Sequence, residues 1–181
     1  MVAVTDTLAP RWHACYTRSR HEKRVDERLR SQGMEVFLPM VARVRQWHDR
    51  EKVVEWPLFP SYVFARFGLD ALARVLGTPG VATVVRFNGR PVAIPEHEIE
   101  NVRRLADGLG RADADPEPVP MVETGRPVRI TSGPLEDVRG IVAEHRGRER
   151  LLITVGLQSI GQGMKVEVDA DLVELLEIED R

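Results

Sequence analysis

The chain of 181 residues has a single cysteine, Cys15, so no internal disulfide can form. That argues against a small disulfide-stapled secreted scaffold and fits a reducing cytoplasm. No apolar run approaches the ~18–20 residues that span a bilayer, so no membrane association is expected. Met1 to Pro10 carries Asp6 and no basic segment followed by an apolar one, so it is not read as a signal peptide. Five histidines (His13, His21, His48, His97 and His145) are scattered and give no metal-ligand spacing. A nucleophile elbow and a glycine-rich phosphate loop are also missing. An enzyme is therefore not expected, nor is a cofactor or a metal. Cys15 lies in the apolar-rich run Trp12 to Tyr16 and reads as a small core residue rather than a nucleophile.

The formal charge of -2 conceals an asymmetry. From Pro10 to Leu105 there are 17 Lys and Arg against 11 Asp and Glu, a net +6. From Ala106 to Arg181 the counts are 9 and 16, a net -7. A basic half and an acidic half point to two units with different partners, and a polyanion suits the first.

In the basic half, Trp12-His13-Ala14-Cys15-Tyr16 reads as a strand. Ser19 followed by Glu22 forms a capping-box pattern for a helix running to about Gln32, which Gly33 ends. Arg20, Arg24 and Arg28 recur every four residues and form one outer ridge; Arg18, His21 and Lys23 add to its end. Such a ridge is either a solvated helix face or a phosphate-contacting surface. Glu35 to Met40 reads as a strand, and Val41 to Trp56 as an amphipathic β-hairpin with a charged tip at His48, Asp49, Arg50 and Glu51. Pro57 and Pro60 precede a nearly continuous apolar run, Tyr62 to Phe67, that suits a central strand. Phe59, just outside it, is either core or part of an apolar patch with Tyr62. A short helix over Asp70–Leu76 follows, then a β-rich run from Val81 to Phe87. Asn88-Gly89 is the strongest turn signal in the chain. Pro95 opens a last helix to about Leu105.

Asp107 to Thr124 is acidic, proline-containing and poor in large apolar residues, and reads as a flexible linker. Beyond it the apolar runs are short: Pro127–Thr131, Gly140–Glu144, Leu151–Gly156, Met164–Val168 and Leu172–Leu176. Punctuated by glycines, they read as a small β-barrel or sandwich. The expected division is residues 10–106, a linker over 107–122, and residues 123–178. The expected fold class is α+β, one layer domain of alternating strands and helices with an exposed β-hairpin, followed by the small barrel or sandwich.

Several motifs carry a resemblance. Trp12 with Tyr16, the basic helix, Pro57-Leu58-Phe59-Pro60-Ser61-Tyr62-Val63-Phe64, Pro79-Gly80-Val81 and Val85-Arg86-Phe87-Asn88-Gly89 resemble the N-terminal (NGN) domain of the NusG family. Gly125-Arg126-Pro127-Val128-Arg129-Ile130, Gly133-Pro134-Leu135 and Gly140-Ile141-Val142 resemble a KOW domain. Within the family, Arg18-Ser19-Arg20-His21-Glu22-Lys23 and Arg43-Val44-Arg45-Gln46-Trp47 look more like the specialised RfaH or UpxY paralogues than the housekeeping protein.

The resemblance implies a cytoplasmic, monomeric transcription elongation and antitermination factor with an SH3-like KOW barrel. It implies binding to the clamp helices of the largest RNA polymerase subunit through Trp12, Tyr16, Phe59, Pro60 and Tyr62, which moves Phe59 from core to interface. Ser61 stands where the family usually has glycine. Arg18, Arg20, His21, Lys23 and Arg24 are the candidates for contact with upstream or non-template DNA, and the hairpin tip would reach across the main channel. The KOW domain would meet Rho or a small-subunit ribosomal protein through the loop Gln158 to Met164, with Ile160 and Met164 as its apolar members. Some paralogues refold this domain as a helical hairpin, but five strand-like runs and frequent glycine argue against that here. The competing reading is a ribosome- or RNA-associated KOW protein, which the acidic second half disfavours.

Overall fold

The computed structural model describes residues 9–47, 50–112, 114, 116–121, 125–147 and 149–177. In chain order the elements are β1 (Arg11–Thr17), α1 (Glu22–Ser31), β2 (Glu35–Phe37), β3 (Met40–Trp47), β4 (Arg50–Pro57), β5 (Tyr62–Phe67), α2 (Leu72–Leu76), β6 (Val81–Val84), β7 (Arg86–Phe87), β8 (Arg90–Pro91), α3 (Glu96–Leu109), β9 (Glu117–Pro120), β10 (Pro127–Ile130), β11 (Arg139–Arg146), β12 (Arg150–Leu157), β13 (Gln162–Asp169) and β14 (Val173–Leu175). The chain packs as two compact units, Met1–Pro39 with Phe59–Glu96, and Met40–Leu58 with His97–Arg181. Among the described residues no helix is long and apolar enough to cross a membrane.

The first unit is built on an antiparallel sheet in the order β2-β5-β1-β6, so the apolar run Tyr62–Phe67 is central, as its composition requires. Strand alternation sends Cys15, Val63, Ala65 and Phe67 to one face. There they pack with Val25 and Leu29 of α1, Val75 of α2, and Met34, Val36, Val81 and Val84. Burial pushes the Cys15 thiol up to about 12, so it is a thiol and not a thiolate at neutral pH. α1 ends as its sequence demands. Gly33 takes φ 81, its N–H donates to Arg30 O (2.9 Å), and Met34 N–H donates to Leu29 O (3.2 Å). That is the paired pattern of a Schellman C-terminus.

His13 is 3% exposed, with its ring 4.7 Å from that of Phe67 and Nδ1 2.8 Å from Val92 O. Burial lowers its pKa, outweighing the hydrogen bond to Val92 that raises it. The native state therefore prefers neutral His13, while the unfolded chain protonates near its ordinary ~6.5. Stability is fully present above that value and declines as pH falls from it towards the lower native pKa. Thermal melts are expected to lose Tm on this descent, and His13→Asn should flatten the dependence; an unchanged slope would contradict the assignment.

In the second unit, β3 and β4 form a two-stranded ladder from Met40↔Pro57 to Trp47↔Arg50. His48 and Asp49 of the expected tip lie outside the described residues, and Arg50 and Glu51 sit in the ladder opposite Trp47 and Gln46. The strand expected from Glu35 to Met40 is split, because Leu38-Pro39 interrupts it and Met40 already belongs to the hairpin. The C-terminal strands form one antiparallel sheet in the order β14-β10-β11-β12-β13-β9. Its core includes Val128, Ile130, Val138, Ile153, Val155, Leu157, Met164 and Val166, each at most 2% exposed. This is the small barrel that the short apolar runs and frequent glycines foretell.

The stretch expected as a linker carries structure at both ends. α3 continues through Asp107 to Leu109, because Ala106, Gly108 and Leu109 extend its buried face beyond Leu105. Glu117–Pro120 pairs with β13 as the outermost strand. Proline lacks a ladder donor and is tolerated at such an edge, which is how Pro118 and Pro120 fit. α3 also packs on the barrel within this unit. Asn101 and Arg139 exchange hydrogen bonds, Nδ2 to Arg139 O (2.7 Å) and Arg139 N–H to Oδ1 (2.8 Å). The Ser159 hydroxyl donates to Glu98 Oε2 at 2.7 Å.

Candidate interaction surface

The register Tyr16↔Tyr62 between β1 and β5 places two aromatic rings side by side, edge to face at 5.3 Å. Tyr16 is 42% exposed and Tyr62 is half-buried. Burial is the main cause, and the neighbouring Tyr16 a lesser one, of the raised pKa of Tyr62. The Tyr62 phenol thus keeps its donor proton at neutral pH.

Tyr62 follows a turn closed by its own N–H donating to Phe59 O at 3.2 Å. Pro60 stands second in this turn and Ser61 third with φ 66, the arrangement of a type II turn. That third position normally demands glycine. The chain keeps the glycine backbone without the glycine, and two hydrogen bonds hold it there. Ser61 N–H donates to Glu22 Oε1 (2.8 Å), and Thr17 N–H donates to Ser61 O (2.8 Å). A non-glycine residue in this region costs about 1–3 kcal/mol. Ser61→Gly is therefore expected to stabilise the protein by about 1 kcal/mol, after the entropy glycine adds to the unfolded chain. Urea titration reads this directly, and a less stable glycine variant would contradict the strain.

Of the five residues expected at a polymerase interface, Pro60, Tyr16 and Tyr62 reach the surface. Trp12 and Phe59 do not, at 1% and 3% exposed. The Trp12 indole N–H is shared between both Glu96 carboxylate oxygens at 3.1 Å. Phe59 meets Phe64 edge to face at 6.0 Å. Expected as interface, both are core: Trp12 lies on the same face of β1 as Tyr16 by alternation, but its indole is buried and hydrogen-bonded to Glu96, and Phe59 is buried against Phe64.

The turn from β1 to α1 continues from Tyr16 through Thr17 and gathers the expected cationic residues. Arg18, Arg20, Lys23 and Arg24 are exposed and His21 is half-buried. Arg18 N–H donates to Gly80 O (2.9 Å), and Arg20 takes φ 60. His21 Nδ1 lies 2.9 Å from Ser19 O. The ridge over Arg20, Arg24 and Arg28 is shorter than its spacing suggests. Arg20 precedes the helix, which starts at Glu22 after His21, and Arg28 Nη1 donates to Pro79 O at 2.6 Å. The capping box does not form either. No side chain caps α1, and Glu22, read as the partner of Ser19, instead supports Ser61. This role of Glu22 is what the sequence reading missed. Proline followed by serine at the entry to a strand was its one visible trace.

On the barrel, Ile160 ends a single turn of 3-10 helix, Gln158–Ile160, and is half-buried. Met164, expected beside it in a loop, is instead 1% exposed in β13 opposite Val155. β13 begins at Gln162, so the connection is shorter than expected and Met164 fills the core.

A family model described as "Transcription termination factor nusG" matches residues 10–103, just over half of the chain. A transcription termination/antitermination protein NusG of Thermus thermophilus is 29% identical over 179 residues, covering 87% of this chain and 94% of its own. Its counterpart in Pseudomonas aeruginosa is 28% identical over 180 residues, covering 92% and 99%. Among solved structures, one described as domain interaction in Thermotoga maritima NusG is 26% identical, covers 93% of this chain and 98% of its own, and superposes with a TM-score of 0.51.

Proposed function

The chain belongs to the NusG family, and from that premise we propose that it is a transcription elongation and antitermination factor that grips the clamp helices of RNA polymerase through Tyr16, Pro60 and Tyr62. The family consists of transcription factors and not enzymes. The observation that carries the proposal is the exposed tyrosine pair beside a rigidly held Pro60-Ser61 turn. Aromatic side chains on a preorganised backbone are what an interface hot spot needs, since little entropy is lost on binding. Residues 10–106 act as the polymerase-binding domain and residues 123–178 as the KOW domain.

The cationic turn of Arg18, Arg20, His21, Lys23 and Arg24 supplies phosphate contacts to upstream or non-template DNA. The β3–β4 hairpin reaches across the main channel. The KOW barrel meets a small-subunit ribosomal protein or Rho at the Ile160 turn. Serine at the third position of the type II turn and the arginine-rich β1–α1 turn support a specialised paralogue serving particular operons. Mechanism then follows from binding alone. A factor that prefers the closed, pause-resistant clamp shifts that equilibrium by its differential affinity. A preference of ~1.4 kcal/mol changes pausing about tenfold.

The test is retention of purified core RNA polymerase on the immobilised protein, with ribosomal RNA as the competing target. Polymerase retained without ribosomal RNA supports the proposal. Ribosomal RNA retained without polymerase replaces it by the ribosome-associated reading.

A further inference from the structure

The β7–β8 hairpin takes no part in the surface above. We propose that it is a contact for an unpaired nucleic-acid strand, with Phe87 stacking on a base while Arg90, on the same face, holds a flanking phosphate.

Phe87 is 73% exposed, the most exposed of the large apolar side chains among the described residues. It sits beside a two-residue turn in which Asn88 has φ 49 and Gly89 φ 78, the two positive values a type I′ hairpin requires. The register pairs Phe87 with Arg90 and Arg86 with Pro91. Cross-strand partners share a face, so the Phe87 ring and the Arg90 side chain stand together, with Arg86 on the other face. The base of the hairpin is fixed to the sheet: Val85 N–H donates to Ala14 O (2.9 Å), Val92 N–H to Val85 O (3.0 Å) and Ile94 N–H to Trp12 O (2.8 Å). The ring is thus presented on a rigid arm.

Charge selects the partner. From Ala71 to Pro95 the chain has no Asp or Glu, while it has Arg74, Arg86 and Arg90. Arg86, Asn88, Gly89 and Arg90 are all exposed, so Phe87 is a lone ring among polar neighbours and not part of an apolar patch. A protein partner would need a wider apolar surface. An aromatic ring flanked by arginines is instead the pattern of single-strand binding, in which bases stack and guanidinium groups meet phosphates. A duplex keeps its bases stacked on one another and offers the ring no face. The hairpin leaves the Trp12–Ala14 end of β1, so along the strand its base lies about 13–20 Å from Arg18, apart from the cationic turn.

The test uses the full chain without polymerase, so its result does not depend on the polymerase reading. Fluorescence anisotropy would follow labelled oligothymidylate and oligouridylate of about twelve nucleotides. Wild type should bind both at low salt. Phe87→Ala should weaken binding about tenfold, and Phe87→Leu nearly as much, because leucine is apolar but has no aromatic face. Phe87→Trp should bind at least as well as wild type. Arg90→Gln should lower the slope of log K against log salt by about 0.7, for the one phosphate no longer neutralised, and Arg86→Gln, on the other face, should change it less. Binding to a duplex of equal length should be insensitive to Phe87→Leu. The inference is overturned if wild type binds neither oligonucleotide, if Phe87→Leu binds as wild type does, or if duplex and single strand are weakened equally. Circular dichroism melts identical to wild type establish that these exposed substitutions leave the fold intact.

Discussion

Replacing Tyr16 and Tyr62 together by alanine is expected to weaken binding to RNA polymerase at least a hundredfold and to leave the protein folded. Truncating a central interface aromatic costs about 2 kcal/mol or more, some thirtyfold in affinity. The two rings touch at 5.3 Å, so their losses are coupled and the pair falls short of the product of the single effects. The cost to folding is small by comparison. A cross-strand aromatic pair contributes about 0.2–1 kcal/mol, and Tyr16 is 42% exposed in the native state. A titration of labelled protein with core polymerase, beside a thermal melt, separates the two effects. Loss of affinity with an unchanged melt locates the surface. Unchanged affinity removes the tyrosines from it.

Phe59→Ala should act the other way, on stability. Phe59 is 3% exposed against Phe64, which is itself fully buried. Truncating a buried phenylalanine costs about 3–5 kcal/mol, because the cavity left behind adds to the lost transfer free energy. A domain has only about 5–15 kcal/mol in total, so this variant should melt about 10 °C lower. It also loosens the turn that Phe59 O closes with Tyr62 N–H. Loss of polymerase binding by Phe59→Ala would therefore report a damaged scaffold rather than a missing side chain at the interface. Calorimetry decides: a melt within two or three degrees of wild type, a range set by about 1 kcal/mol, would mean that Phe59 is not packed as described.

The sequence was most informative where one local rule had no competitor. The run Tyr62–Phe67, nearly continuous in apolar residues, suited a central strand better than an edge, and β5 lies between β2 and β1. Gly33 could only end a helix. The five short glycine-bounded runs correspond to β10 through β14 within a residue or two at each end. It was least informative where a residue had two plausible partners. Glu22 has the spacing of a capping-box glutamate, but an orphan N–H at Ser61, distant in sequence, takes its carboxylate. Phe59 and Met164 sit beside turns, and only tertiary packing decides that both point inward. Acidic, proline-bearing composition made Glu117–Pro120 look like linker. An edge position tolerates those prolines, and nothing local reveals that β13 has an open edge to offer. Within the candidate surface, the tyrosines and the cationic turn were visible as residue types. The strained serine backbone that holds them in place was not.

Single-round transcription through a strong pause site, with core polymerase and the full chain, tests the central claim most directly. The account predicts that wild type shortens the pause severalfold, that Tyr16→Ala/Tyr62→Ala has no effect at the same concentration, and that Ser61→Gly behaves as wild type or better. A wild-type protein that leaves the pause unchanged, or a double variant that shortens it fully, would contradict the account.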